Sequence, residues 1–236
     1  MPRLIANMVA RNEASEYLPE VLERLRNQVD VIVFTDDAST DDTVKVAEQY
    51  VDHIMVMDEP TFCVHEGDLR QASWNFLESS AAPVDGDWVL AIDADEFLYE
   101  TKKSARELIQ TQDYTIINVD FYHMWNETHF RVDGGWRPHG STRLFKWRPG
   151  GIFKSSKVAC GSEPTFVASD LVYFRHLFMA DSGLKMKHLS YIKDADKKKK
   201  YDRYTEIDGG KFHANSHINS IIDPPGKVSL ELWTQK

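Results

Sequence analysis

Trp88-Val89-Leu90-Ala91-Ile92-Asp93-Ala94-Asp95 is an apolar run that ends in two carboxylates. A short run of this kind, bounded by polar residues, reads as a buried strand, and it places Asp93 and Asp95 where that strand emerges into solvent. Two acids at a strand end suit a hard divalent cation. Mg²⁺ and Mn²⁺ prefer oxygen ligands, and Mg²⁺ is usually shared between one or two carboxylates and substrate phosphates. The plainer alternative is a polar strand end with two solvated acids.

Two upstream runs end in the same way. Leu4 to Val9 leads into Ala10-Arg11-Asn12-Glu13, and Val31 to Thr35 leads into Asp36-Asp37-Ala38-Ser39-Thr40-Asp41-Asp42-Thr43. Leu18, Val21, Leu22 and Leu25 recur at helical spacing after the first run, and Val44, Ala47 and Val51 after the second. A third apolar stretch, Ile54 to Met57, and a helical segment around Leu69 to Leu77 precede Trp88. Alternating strands and helices predict a parallel sheet with right-handed crossovers, all four strands pointing the same way. Ligands of such open sheets bind beyond the carboxyl ends of the strands. Arg11-Asn12, Asp36-Asp37 and Asp93-Asp95 therefore converge on one crevice, even if Ser39 or Thr40 also caps the next helix and Asp41 and Asp42 complement its dipole.

This ordered set, from Val9-Ala10-Arg11-Asn12-Glu13 through Asp36 to Thr43 and Arg70 to Asn75 to Asp93-Ala94-Asp95, resembles the family-2 glycosyltransferases of the GT-A fold. The resemblance is strongest over about the first hundred residues. Beyond them, Thr142-Arg143-Leu144-Phe145-Lys146 is similar to the family's Arg-Leu-Phe strand, and His188-Leu189-Ser190-Tyr191 with the Lys-rich helix behind it to the family's downstream histidine segment. Many relatives follow the Arg-Leu-Phe strand with a His-Glu pair. Val158-Ala159-Cys160-Gly161 stands there instead, which leaves the catalytic base open.

The resemblance implies an α/β, Rossmann-like, open and mostly parallel twisted sheet flanked by helices, with a smaller acceptor-side β region. One catalytic domain is expected over 1–236, with a nucleotide-sugar-binding half over 1–100 and an acceptor half with a C-terminal lid over 101–236. The implied activity is metal-dependent transfer of a sugar from a UDP-linked donor to an acceptor hydroxyl, with inversion. In that scheme Asp36 recognises the nucleobase, Val9 and Arg11 line its pocket, Asp93 lies near the ribose, and Arg70 braces the carboxylates or the base. Mn²⁺ or Mg²⁺ is held by Asp95, by Asp93 directly or through water, and by His188, since neutral imidazole suits Mn²⁺. A lone histidine is also a common structural residue. Asp120, Asp133 and Glu163 are the candidate general bases, Asp133 because Gly134-Gly135 beside it permits close approach. A surface-glycan or lipopolysaccharide precursor is the expected acceptor, with a protein or modified nucleobase as the alternative.

Composition bounds the reading. With 236 residues, 42% hydrophobic and 28% charged, the chain suits one sizeable globular core. Its net charge of −9 argues against an extended nucleic-acid footprint. The basic run Lys197 to Lys200 wraps around a helix and reads either as solvated surface or, with Lys193 to Arg203, as a hold on the donor diphosphate. No stretch approaches the roughly 20 apolar residues of a membrane span, and the short N-terminal run lacks a signal-peptide core. With only Cys63 and Cys160, a reducing, cytoplasmic setting is expected. The aromatic stretch Tyr122, Trp125 and Phe130, with His123 and His129, suits either a sugar ring or the core beneath a loop. Gly209-Gly210 and Pro224-Pro225 mark an irregular tail.

Two other classes fit part of the pattern. A haloacid-dehalogenase-type phosphohydrolase also has Asp-x-Asp after an apolar strand, but Phe97 stands where that motif has Thr or Val. A carbohydrate-binding module would not need the intact acidic pair. A Walker-type nucleotidase is excluded, because no Gly-x-x-x-x-Gly-Lys-Ser/Thr loop exists.

Overall fold

The computed structural model describes residues 1–110, 114–157, 161–167, 182–208 and 214–234. Val158-Ala159-Cys160 and Gly209-Gly210 lie outside the described residues.

The first half alternates as expected: β1 (Leu4–Ala10), α1 (Leu18–Gln28), β2 (Val31–Asp36), α2 (Thr43–Ala47), β3 (His53–Val56), α3 (Glu66–Ser80) and β4 (Trp88–Ala91). Strands β3, β2, β1 and β4 pair in that spatial order, all in parallel. Their runs are continuously apolar because the sheet is covered on both faces. Leu4, Ala6 and Met8 pack with Leu18, Val21, Leu22 and Leu25 of α1, while Ile5, Val33 and Val89 pack on the other face with Trp74 and Leu77 of α3. Helix α2 ends at Ala47, earlier than the Val44-Ala47-Val51 spacing implies; Tyr50 and Val51 reach the core from the turn that follows.

The second half continues the sheet with β5 (Glu96–Glu100), β6 (Ile116–His123), β8 (His139–Lys146) and β9 (Leu184–His188), giving the order β3-β2-β1-β4-β8-β6-β9-β5. Four of the seven pairings are parallel, so the sheet is mixed and mostly parallel, the Rossmann-like arrangement of a GT-A fold. Helix α4 (Ala105–Gln110) follows β5. A two-stranded antiparallel sheet joins β7 (His129–Arg131) to β10 (Leu230–Leu232). Helices α5 (Asp194–Ile207) and α6 (Asn215–Ser220) precede β10.

The aromatic stretch fills core. Trp125 and Trp136 are buried with Tyr191 and Ile221, and Phe130 joins the main core. The described part of the tail is docked rather than loose. The Arg131 guanidinium is 1% exposed, donates to the Ser220 carbonyl, and pairs with both Asp133 and Asp223.

Candidate active site

The crevice is built at strand ends. Among the described residues, backbone in the left-handed region without glycine occurs at Asn12 (φ 55°), Ala38 (φ 54°) and Ala82, and the first two follow β1 and β2. Strain of this kind persists only where surroundings enforce it. Here the two loops clamp each other: the Asn12 amide donates to Ser39 Oγ (2.9 Å), Asn12 Oδ1 accepts the Thr40 amide (2.8 Å), and the Glu13 amide donates to Thr43 Oγ1 (2.8 Å).

At the end of β2, neighbouring acids differ. Asp37 accepts the Thr61 and Phe62 amides at 2.6 and 3.1 Å and so holds the loop after β3. Asp36 is fully buried; its Oδ2 accepts the Ser39 amide at 2.8 Å, while Oδ1 has no hydrogen-bond partner among the described residues. Val9 is buried on the adjacent strand and Arg11 is partly exposed beside the pair.

At the end of β4, Asp93 faces arginines. Its Oδ1 accepts Arg70 Nη1 at 3.1 Å, and its Oδ2 lies 3.8 Å from Arg143 Nη1. Arg70 reaches it because α3 docks closely on the chain after β8: the Gly67 amide donates to the Ser156 carbonyl (2.9 Å), and a Cβ at Gly67 would lie 2.4 Å from the Lys154 carbonyl oxygen. Arg143 also donates to Glu96 Oε1 (2.5 Å) and to Ser162 Oγ (2.6 Å). Burial raises the Glu96 carboxyl against Arg143, with Asp93 and Asp95 adding to the shift.

Asp95 faces a different set. Strand β9 brings His188 opposite Glu96 on one side and His123 on the other. The Leu189 amide donates to the Asp95 carbonyl (2.9 Å), and the Ser190 hydroxyl donates to Asp95 Oδ2. His188 Nε2 lies 3.4 Å from Asp95 Oδ2, and His188 Nδ1 lies 3.0 Å from His123 Nδ1. Burial raises the Asp95 carboxyl, but His188 and Lys200 outweigh it and hold the group below the usual carboxylate range. Burial also pushes His188 below its ordinary value, against Asp95, and pushes His123 lower still.

Beside Asp95 and Ser190 opens a cleft of about 160 Å³, walled by Glu13 and Tyr17 from the β1 loop and by Lys199, Lys200 and Arg203 from α5. Burial pushes Glu13 up to about 7, with Asp95 adding to the effect and Lys199 opposing it. The predicted residues thus separate into two groups. Asp95 and His188 meet, while Asp93 is turned to Arg70 and Arg143; among the described residues no three His, Cys, Asp or Glu side chains gather as a ligand set.

The base candidates separate too. Asp133 is clamped by Arg131 at 2.7 to 3.1 Å and by the Ser229 amide at 2.9 Å, and the Arg131 hydrogen bonds hold it below the usual carboxylate range. Such a group ties the tail to β7 and makes a poor base. Asp120 sits within β6, in register with Gly140 and Lys185. Glu163 follows Ser162, the partner of Arg143, and so stands beside the acidic strand end. Sequence reasoning missed Glu13, Glu96, Arg143 and Ser190 as site residues. Their signal was adjacency, since each lies within or next to a quoted motif.

Sheet order, acidic strand ends and a cationic wall together define a transferase of the GT-A type. The chain belongs to glycosyl transferase family 2, whose family model matches residues 7–178. An uncharacterized glycosyltransferase of Rickettsia felis (strain ATCC VR-1525 / URRWXCal2) is 34% identical over 109 residues, 46% of this chain and 34% of that protein. The chain thus aligns with about a third of the length of this curated relative. Among solved structures, residues 1–349 of S. aureus TarS are similar at 16% identity and a TM-score of 0.44, over 94% of this chain and 69% of that one. A 4-diphosphocytidyl-2C-methyl-D-erythritol synthase is similar at 17% identity and a TM-score of 0.40, over 62% of this chain and 76% of that one.

Proposed function

We propose that the protein transfers a sugar from a UDP-linked donor to an acceptor hydroxyl, with inversion. The observation that carries this is Asp36, a fully buried carboxylate at the end of β2 whose Oδ1 has no hydrogen-bond partner among the described residues. A buried acceptor of this kind favours a donor, and the imide N–H of uracil supplies one where cytosine presents a lone pair. The diphosphate then lies towards Lys199, Lys200 and Arg203, which counter its charge as the leaving group forms.

A divalent cation fits the Asp95–His188 pair. Two ligands at right angles on one ion, each about 2.1 Å from it, stand about 3 Å apart, close to the 3.4 Å observed. When bound, Mn²⁺ or Mg²⁺ supplies Lewis-acid charge to the departing diphosphate. Asp93, committed to Arg70 and Arg143, belongs to the ribose and sugar side of this reading. Glu163 is the base of choice for the acceptor hydroxyl, and the acceptor is a surface-glycan or lipopolysaccharide precursor reached from the cytoplasm.

The test is a thermal-shift screen of nucleotide-sugars with and without Mn²⁺, followed by product analysis with the stabilising donor. UDP-sugars should raise the melting temperature most, because a ligand of the native state stabilises it by mass action. Equal or stronger stabilisation by CDP- or GDP-sugars would refute the base assignment.

A further inference from the structure

Helix α5 lines the crevice and adds only the half-buried rings of Tyr201 and Tyr204 to the core cluster around Trp125 and Tyr191. None of its residues is buried. Its cations rest on rings instead: Lys197 on Trp125 at 4.7 Å, Lys200 on Tyr191 at 4.8 Å, and Arg203 on Phe62 at 4.8 Å. Lys200 does more, since its Nζ lies 3.4 Å from His188 Nε2 and 4.0 Å from Asp95 Oδ2. Those are the two atoms that would bind a divalent ion.

We propose that Lys200 is the resident cation of the Asp95–His188 pair, and that the donor diphosphate must draw its ammonium away before a divalent ion binds there. Metal uptake then follows nucleotide binding. This rests on the reading of Asp95 and His188 as metal ligands given above.

Two features support it. A compact point charge on a flexible four-carbon stem suits a removable cation, and Lys200 reaches the pair over the Tyr191 ring from a helix whose own residues are at most half-buried. The cleft beside the pair is flanked by Lys199 and Arg203, so an incoming diphosphate offers Lys200 a second anionic partner where other cations already stand.

The experiment titrates Mn²⁺ into the full chain, with free Mn²⁺ read by electron paramagnetic resonance, with and without UDP. Wild type should bind Mn²⁺ at least tenfold more tightly with UDP. Lys200→Met should bind Mn²⁺ without UDP at least tenfold more tightly than wild type, and its UDP dependence should collapse. Lys200→Gln should match it, guarding against a local distortion. Lys198→Met removes an equal charge from the exposed Lys198–Asp202 pair and should behave as wild type. If Lys200→Met and Lys200→Gln follow wild type, or gain equally with and without UDP, the role of Lys200 is overturned. Asp95→Ala separates the two claims: if it leaves Mn²⁺ binding in UDP intact, the metal-site reading fails. Absence of Mn²⁺ binding in every variant overturns both.

Discussion

Asp36 and Asp37 are adjacent, equally buried and differently employed: Asp37 gives both oxygens to the Thr61 and Phe62 amides, whereas Asp36 Oδ1 has no hydrogen-bond partner among the described residues. Strand alternation sends the two side chains to opposite faces, so only one is left for a ligand. Asp36→Ala should therefore weaken UDP binding about ten- to a hundredfold, the loss of a hydrogen bond to a charged group worth roughly 1.5–3 kcal/mol. Asp37→Asn should instead lower the melting temperature. Titration calorimetry showing unchanged UDP affinity in Asp36→Ala would end the base assignment.

Asp95→Ala should remove nearly all transfer and donor hydrolysis while the fold survives, because its carboxylate meets His188, Ser190 and Lys200 rather than the core. EDTA should have the same effect on wild type. Rates measured with excess acceptor check both, and full activity in either case contradicts metal-dependent turnover.

The parts legible in the sequence share a physical reason. Strands covered on both faces must be continuously apolar, so β1, β2 and β4 stood out, and their polar ends fell on one crevice by topology alone. Lys200 was hidden, because a run of four lysines reads as solvated helix surface and only the packing of α5 shows which of them turns inward. Arg131 was hidden for a related reason: a buried arginine betrays itself only through partners as distant in sequence as Asp223. The rings between Tyr122 and Trp136 suited both core and ligand, and burial decides for the core.

Glu13→Gln should stabilise the protein in a pH-dependent way. The carboxyl is raised from 4.5 to about 7. Between those values the folded chain keeps a proton that the unfolded chain releases, so stability falls as pH rises and the loss is complete above about 7. Gln removes that loss. Allowing for partial solvent access, about 1–3 kcal/mol should be regained at pH 8, several degrees in melting temperature, and much less at pH 5. Equal gains at both pH values would contradict a titrating Glu13.

Asp133 and Glu163 should part company when each is made neutral. Asp133→Asn weakens the clamp on Arg131, whose guanidinium is nearly fully buried and holds the tail through Ser220 and Asp223. A charge left with fewer partners costs about 1–3 kcal/mol, so the variant should melt earlier yet keep its turnover number at low temperature. Glu163→Gln leaves that clamp untouched. It should retain UDP binding and melting temperature while turnover falls about 10²–10⁴-fold, the usual worth of a positioned general base. The check is the split between turnover and KM: a lost base lowers turnover and leaves the KM for the donor near that of wild type. A variant with near-normal turnover would move the base elsewhere, with Asp120 the next residue to test.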